Sequence, residues 1–259
     1  MVVPARSGSR RVKDKNIRSL GGKPLLCWTL DAAFSAVSHL NADESLRAMV
    51  LLSTDSESYV DAALEWMKGA PWFNHPPTKY QAPGFVSPLR PKEISEDVDT
   101  GLVCKYAYKW TKENLKYDAN LIVTLQPTSP FRSVDDIVNC VHDAVSLKAD
   151  TVFTVKLLEQ YPQWVFMQDY RHQGLSARTW LGIPSRYLSG IIAQDLPELY
   201  FPTGSVYVTN RKTIQEGRIY GERLNMLPVR DPIRNIDIET EDDLSYAHWL
   251  IDSGRVKTS

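Results

Sequence analysis

What this chain lacks narrows its class before any motif does. No apolar run approaches the ~20 residues that span a bilayer, so the sequence offers no membrane helix. Its three cysteines, Cys27, Cys104 and Cys140, are far apart and odd in number. They lack metal-type spacing and each lies in an apolar-periodic stretch, which fits buried reduced thiols. The five histidines (His39, His75, His142, His172 and His248) show no ligand spacing either. His142 and His248 sit on amphipathic stretches and read as structural. Charge of one sign is not in excess, with 30 basic against 31 acidic residues, which argues against a general nucleic-acid coat. No internal repeat, low-complexity tract or interdomain linker interrupts the chain. Charge begins at Arg6 with no hydrophobic region after it, unlike a secretory leader. Val2 and Val3 make a very short first strand, as if a few preceding residues had been trimmed. A cytoplasmic protein is expected, with all 259 residues in one large domain. A hydrophobic fraction of 43% is enough for a sizeable core.

What is present is uneven. Residues 4–16 read Pro-Ala-Arg-Ser-Gly-Ser-Arg-Arg-Val-Lys-Asp-Lys-Asn. Gly8 between Ser7 and Ser9 permits a sharp turn and close approach of the backbone to a polyanion. Arg6, Arg10, Arg11, Lys13 and Lys15 surround that turn with positive charge. A glycine-containing loop between strand and helix, lined with cations, suits a nucleoside triphosphate. Acidic residues gather at the other end, where Asp237, Glu239, Glu241, Asp242 and Asp243 fall close together. The two groups read as halves of one site, cations for phosphates and carboxylates for a metal.

Between them, strand and helix patterns alternate. Pro24 opens a helix through about Val37, with Leu26, Leu30, Ala33 and Val37 at helical spacing. Met49–Leu52 is a continuous apolar run, typical of a strand buried on both faces, and a helix follows from Glu57 to Met67. Asn120–Leu125 repeats the pattern. Ser133 reads as an N-cap with Asp136 three residues on. Thr151–Val155, Ser205–Thr209 and the region around Ile236–Ile238 read as further strands, and Thr240 with Asp243 caps a final helix. This alternation predicts an α/β fold, a mostly parallel sheet with helices on both faces. In such folds ligands bind beyond the carboxyl ends of the strands, where Arg6, Asp55, Gln126 and Asp237 all fall. Residues 70–91, rich in proline and aromatics, read as an extended loop. Residues 157–202, weakly periodic, read as a lid or an arm for subunit contact.

Other chemistries find no support. Gly21-Gly-Lys-Pro24 lacks the P-loop spacing, and no Gly-x-Ser-x-Gly elbow marks a serine hydrolase.

Taken together, several segments carry a resemblance. They are Pro4–Asn16, Gly22-Lys-Pro-Leu25, Ser53-Thr-Asp55, Arg90-Pro91, Leu125-Gln-Pro-Thr-Ser-Pro-Phe-Arg132 and Ile236-Asp-Ile-Glu-Thr-Glu-Asp-Asp-Leu244. In this order and spacing the chain resembles the acylneuraminate cytidylyltransferases, the CMP-sialic acid and CMP-nonulosonic acid synthetases. The resemblance implies a nucleotide-diphospho-sugar-transferase-like, Rossmann-like sheet with a small inserted arm, and a homodimer formed through that arm. It implies an enzyme joining CTP to an acidic 3-deoxy-ulosonic sugar in cell-surface polysaccharide biosynthesis, with release of pyrophosphate. Arg6, Ser7, Gly8, Ser9, Lys15, Asn16 and Arg90 would bind nucleotide, with Arg6 and Lys15 on the phosphates. Gln126, Thr128, Ser129, Gln194 and Thr203 would bind the sugar. Asp237 and Glu239 would hold Mg²⁺, since alternate positions of an extended segment share one face. Arg6, Lys15 and Asp237 would carry the catalysis.

Two departures stand out. Glu239 occupies a place where the family usually has aspartate. Ala193-Gln-Asp-Leu-Pro197 and Thr203-Gly-Ser205 replace an arginine thought to hold the acidic sugar and an asparagine; Arg178 or Arg186 are the nearby substitutes. These departures motivate two alternatives: a non-catalytic nucleotide-binding relative, and a nucleotidyltransferase for a different sugar.

Overall fold

The computed structural model describes residues 1–69, 81–82, 85–95, 98–169 and 176–257. The first half runs through β1 (Val2–Pro4), the short antiparallel pair β2 (Ser19–Leu20) and β3 (Lys23–Pro24), α1 (Leu25–Asn41), β4 (Val50–Ser53), α2 (Glu57–Lys68), β5 (Gln81–Ala82), β6 (Phe85–Val86) and α3 (Thr100–Leu115). The second half adds β7 (Leu121–Thr124), α4 (Val134–Ser146), β8 (Thr151–Leu157), β9 (Phe166–Asp169), β10 (Ser176–Thr179), β11 (Tyr200–Asn210), α5 (Arg211–Gln215), β12 (Leu224–Pro228) and α6 (Glu241–Asp252).

Eight strands form one sheet in the order β12-β8-β11-β7-β1-β4-β6-β5. β1 is parallel to β4 and β7, β4 to β6, and β8 to β12, whereas β11 runs antiparallel to both β7 and β8 and β5 antiparallel to β6. The sheet is therefore mostly parallel, an α/β fold as the alternation predicted. β4 is buried along its whole length, as its unbroken apolar sequence requires in a covered parallel sheet. One core lies between the sheet and α1, α2 and α4; a second, with Cys104, Ala107, Tyr108 and Ile214, covers the other face under α3 and α5. Cys27, Cys104 and Cys140 are buried free thiols. No helix among the described residues is long and apolar enough to cross a membrane.

Local chemistry sets the helix starts. Ser133 and Asp136 form a reciprocal capping box on α4, and Thr240 and Asp243 do the same on α6, each satisfying two otherwise orphaned backbone donors. A third apolar cluster matters most for function. It joins Val12 of the basic loop, Phe131 after β7 and Ile238 before α6, together with Leu20, Leu25, Trp28, Leu244, Ala247 and Leu250. Trp28 meets Phe131 edge-on at 5.4 Å between ring centres. Three segments far apart in sequence are thus drawn together by burial before any polar contact is counted.

Two expectations need correction, the strand at 236–238 and the loop at 70–91. Residues 236–239 form no strand; they are an extended segment whose Ile238 N–H donates to the Thr128 carbonyl at 2.7 Å. Within the stretch expected to be a loop, β5 and β6 pair with each other and β6 joins the sheet beside β4; residues 70–80 and 83–84, including His75, lie outside the described residues. The arm expected at 157–202 holds the β9–β10 hairpin between β8 and β11, with residues 170–175, and so His172, outside the described ones.

Two glycines lock α3 to the turn after α5. A Cβ on Gly101 would lie 2.3 Å from the Gly217 carbonyl oxygen, and Gly217 itself has φ +78°. Gly101→Ala must push that backbone aside, and overpacking of this kind destabilises by roughly 1–3 kcal/mol. A lowered midpoint in urea denaturation is expected; an unchanged midpoint would show that the contact is slack.

Candidate functional site

The basic loop leaves the end of β1 and is fastened to the neighbouring strand. The Ala5 N–H donates to the Ser53 carbonyl at 2.9 Å. The Ser7 N–H and hydroxyl both donate to the Asp55 carboxylate just past β4, at 2.7 and 3.0 Å. Gly8 turns the chain at φ +70°, as its sequence position suggested. On the return, the Asn16 amide donates to the Arg6 carbonyl at 3.0 Å.

Lys15 then reaches across the molecule. Its buried Nζ donates to the Ile238 carbonyl at 2.7 Å and pairs with Glu239 at 3.2 Å. Arg11 meets the same carboxylate at 3.0 Å, and Arg18 grips Glu241 with both terminal nitrogens. Basic loop and acidic segment therefore meet directly. An ammonium has three donors; with two engaged among the described residues, one remains for a ligand oxygen.

Asp237 stands at the same junction. The residue is exposed and is not one of those lining the cavity described below, yet partial desolvation is the main reason its carboxyl is raised above the ordinary aspartate range. A hydrogen bond from Thr128 opposes the shift, the negative charge of Glu239 adds to it, Lys15 lowers it and Asp243 raises it. Such a group gains from a nearby cation. Asp237 is exposed and Glu239 half-buried, while Ile238 between them is buried. Among the described residues no group of three acidic, histidine or cysteine side chains forms a self-sufficient metal cage. Hard carboxylate oxygens in ones and twos are the donor set Mg²⁺ uses when substrate phosphates complete its shell, so Asp237 fits that ion, whereas Glu239 is already engaged by Lys15 and Arg11.

A cavity of about 560 Å³ opens here. Arg6, Ser9, Arg10, Arg11, Lys15, Asn16, Arg90, Gln126, Thr128 and Glu239 all line it. Arg90 enters from beyond β6, its N–H donating to the Thr54 carbonyl at 2.7 Å. Its guanidinium is buried, which lowers its pKa, and its Nε and Nη2 have no partner among the described residues. A buried cation with spare donors on a cavity wall is prepared for an acceptor from outside.

Not every expected residue lines this space. Ser7 and Gly8 shape the loop from behind. Ser129 is buried with its hydroxyl unpartnered among the described residues. Thr203 is buried in β11 and shares a 2.6 Å hydrogen bond with Thr154. Gln194 is exposed on a 3₁₀ turn, and Arg178 and Arg186 are exposed in the arm. Arg132, by contrast, escaped sequence reasoning as a site residue. It is buried, donates from Nε to Ser205 at 3.2 Å and from Nη2 to the Gln126 carbonyl, and leaves Nη1 unpartnered among the described residues. Burial pushes its pKa down to about 9, against the pull of Asp136 and Asp237. It fixes the turn that presents Gln126. A second cavity of about 420 Å³ shares Thr100 and Gln126 with the first and adds Asp99, Tyr207, Gly217, Arg218, Ile219 and Tyr220.

With this geometry in hand, comparison with known proteins gives a consistent picture. A family model described as cytidylyltransferase matches residues 1–75. The chain is 26% identical over 254 residues to the CMP-N,N'-diacetyllegionaminic acid synthase of Legionella pneumophila, covering 97% of this chain and 95% of that protein. It is 28% identical over 249 residues to the N-acylneuraminate cytidylyltransferase of Streptococcus agalactiae, covering 95% of this chain but 51% of the relative, so it spans about half that protein's length. A solved CMP:2-keto-3-deoxy-manno-octonic acid synthetase complexed with CTP shares the fold, with a TM-score of 0.60 at 15% identity over 98% of each chain. The resemblance carried by the motifs thus extends along nearly the whole chain.

The raised Asp237 carboxyl has a thermodynamic consequence. The folded state holds its proton to higher pH than the unfolded state does, so stability present below the ordinary aspartate value is lost as pH rises through the folded value. Asp237→Asn removes this disfavoured charge. The variant is expected to melt higher than the parent at pH 7 and to show a shallower decline in stability from pH 4 to pH 7. A variant that melts lower at pH 7 would contradict this.

Proposed function

We propose that this chain is a CTP-dependent cytidylyltransferase that activates an acidic 3-deoxy-ulosonic sugar of the sialic acid type. The observation that carries the reading is the direct meeting of Lys15 with the Ile238–Glu239 segment on the wall of one cation-lined cavity. The likeness to relatives named for CMP-legionaminic and N-acylneuraminate chemistry, along nearly the full chain, supports the same conclusion.

In the proposed reaction the sugar's anomeric hydroxyl oxygen attacks the α-phosphorus of CTP in line. A new P–O bond forms as the α–β bridging P–O bond breaks, pyrophosphate leaves with that electron pair, and the hydroxyl proton passes to water. Charge grows on the leaving oxygens, so fixed cations accelerate the step. Arg6 and Lys15 take the triphosphate, assisted by the loop at Ser7–Ser9 and by Asn16. Arg90, with its spare donors, takes the cytosine end, and Gln126, Thr128 and Ser129 lie toward the sugar. Asp237 would hold Mg²⁺, an ion that neutralises phosphate charge. Glu239, already paired with Arg11 and Lys15, serves chiefly to hold those cations in place, which accommodates glutamate where the family has aspartate.

The arm supplies the reason to expect a homodimer. It exposes Val165, Phe166, Trp180, Leu181, Tyr187 and Ile192, large apolar side chains of the kind that gather at protein–protein contacts. Sedimentation should give the mass of two chains, and Trp180→Asp should shift it toward one; a monomeric parent protein would remove this part of the reading.

Purified protein with CTP, Mg²⁺ and a panel of nonulosonic acids and Kdo is expected to release pyrophosphate. Arg90→Ala should raise the KM for CTP roughly tenfold or more, the worth of a lost charge-assisted contact. Silence across the whole panel would overturn the proposal.

A further inference from the structure

The smaller cavity holds one charged side chain able to attract an acid. Its charged walls are Asp99 and Arg218, and the rest is Gln126, Thr100, Tyr207, Tyr220, Ile219 and Gly217. Asp99 is already committed, since its carboxylate caps α3 by accepting from the Gly101 N–H at 2.7 Å. It would repel a second carboxylate. We propose that Arg218 is the specificity-determining residue of this protein: it binds the carboxylate of the acidic sugar in this cavity, beside the nucleotide. The inference rests on the function proposed above and adds a residue that neither motif nor resemblance singled out.

Three features support it. First, the backbone around Arg218 is rigidly placed. Gly217 abuts Gly101 too closely for any side chain there. The Arg218 N–H donates to the Thr213 carbonyl at 3.2 Å. The Ile219 carbonyl accepts from the hydroxyls of Thr151 and Thr209 at 2.8 and 2.9 Å. A guanidinium carried on such a turn starts from a fixed origin, which lowers the entropy lost when it binds.

Second, its present partners are replaceable. The side chain pairs with Glu216, two residues away, and its Nη1 donates to the Tyr220 carbonyl at 3.3 Å. Both ends of that ion pair are about half exposed, at 52% and 42%, and exposed pairs of this kind hold weakly. A ligand carboxylate can take the place of Glu216 and engage the planar guanidinium through two parallel hydrogen bonds.

Third, the surroundings suit a polyhydroxylated ring. Tyr207 and Tyr220 meet edge-on at 5.8 Å, and Tyr220 packs edge-on against Phe153 at 5.2 Å. That gives a firm aromatic wall bearing hydroxyls, and Gln126 lines the same cavity with an amide able to bond a substrate's own hydroxyls. Gln126 belongs to both cavities, so a sugar held here lies next to the triphosphate. Position 193 carries alanine where the resemblance implies an arginine; Arg218 supplies the missing positive charge from another element.

The test compares the parent enzyme with Arg218→Gln and Arg218→Lys, following pyrophosphate release with CTP and the best acidic sugar, and with the methyl ester of that sugar. Arg218→Gln is expected to raise the KM for the acid roughly tenfold or more, to leave the KM for CTP unchanged, and to erase the preference for acid over ester. Arg218→Lys should recover part of that preference. Thermal midpoints of both variants should match the parent, because the side chain is half exposed. If the parent turns over and Arg218→Gln keeps both the KM for sugar and the preference for acid, Arg218 is not the determinant and the proposed function survives. If the parent releases no pyrophosphate with any acidic sugar, both fall together.

Discussion

The site depends on one long-range contact. Lys15, buried at the end of the basic loop, holds the Ile238 carbonyl, 223 residues away in sequence, and the adjoining Glu239 carboxylate. Underneath, Val12, Phe131 and Ile238 share an apolar cluster, so the hydrophobic effect brings the segments together and Lys15 sets their register. The two layers divide the work in the expected way. Apolar burial is strong but carries no direction; a charge-assisted hydrogen bond in a dry setting is directional and intolerant of displacement.

Around that contact the protein keeps several charges in places that do not favour them. Arg90 and Arg132 are buried with spare donors, and Asp237 is held where its ionised form is disfavoured. None of these is the arrangement a chain selected for stability alone would adopt. Under the proposed function they make sense together as an environment prepared in advance for phosphates and a cation, in which little rearrangement is needed once the ligand arrives. The capping boxes of α4 and α6 and the glycine contact between α3 and the turn after α5 hold the supporting elements still.

Much of this was legible in the sequence where a local rule decides the outcome. The apolar run at β4, the Ser133–Asp136 and Thr240–Asp243 caps and the turn at Gly8 each follow from short-range chemistry. The convergence of Lys15 with residues 237–239 was also readable, because charge of opposite sign gathered at the two ends of the chain. What escaped notice lacks such a signature. Helix α3 buries Gly101, Cys104, Tyr108 and Thr111 on its inner face, so its apolar period is faint. Strand β12 lies at the sheet edge with alternate residues exposed and ends in Pro228. The strand expected at Ile236–Ile238 failed because one hydrogen bond to Thr128 and a packing contact stand in for a ladder. Arg132 and Arg218 stand out only once burial and cavity walls are known, while Thr203 and Gln194, chosen by motif position, stand back from the cavity.

The most direct measurement is a double-mutant cycle between Lys15 and Glu239, read as calorimetric affinity for Mg²⁺·CTP in the parent, Lys15→Met, Glu239→Gln and the combined variant. If the basic loop and the acidic segment form one binding unit, the losses overlap and the double variant is weakened by clearly less than the sum of the single ones, a coupling on the order of 1 kcal/mol or more. Strictly additive losses would mean that the two ends of the chain act separately, and the shared cleft would have no functional meaning.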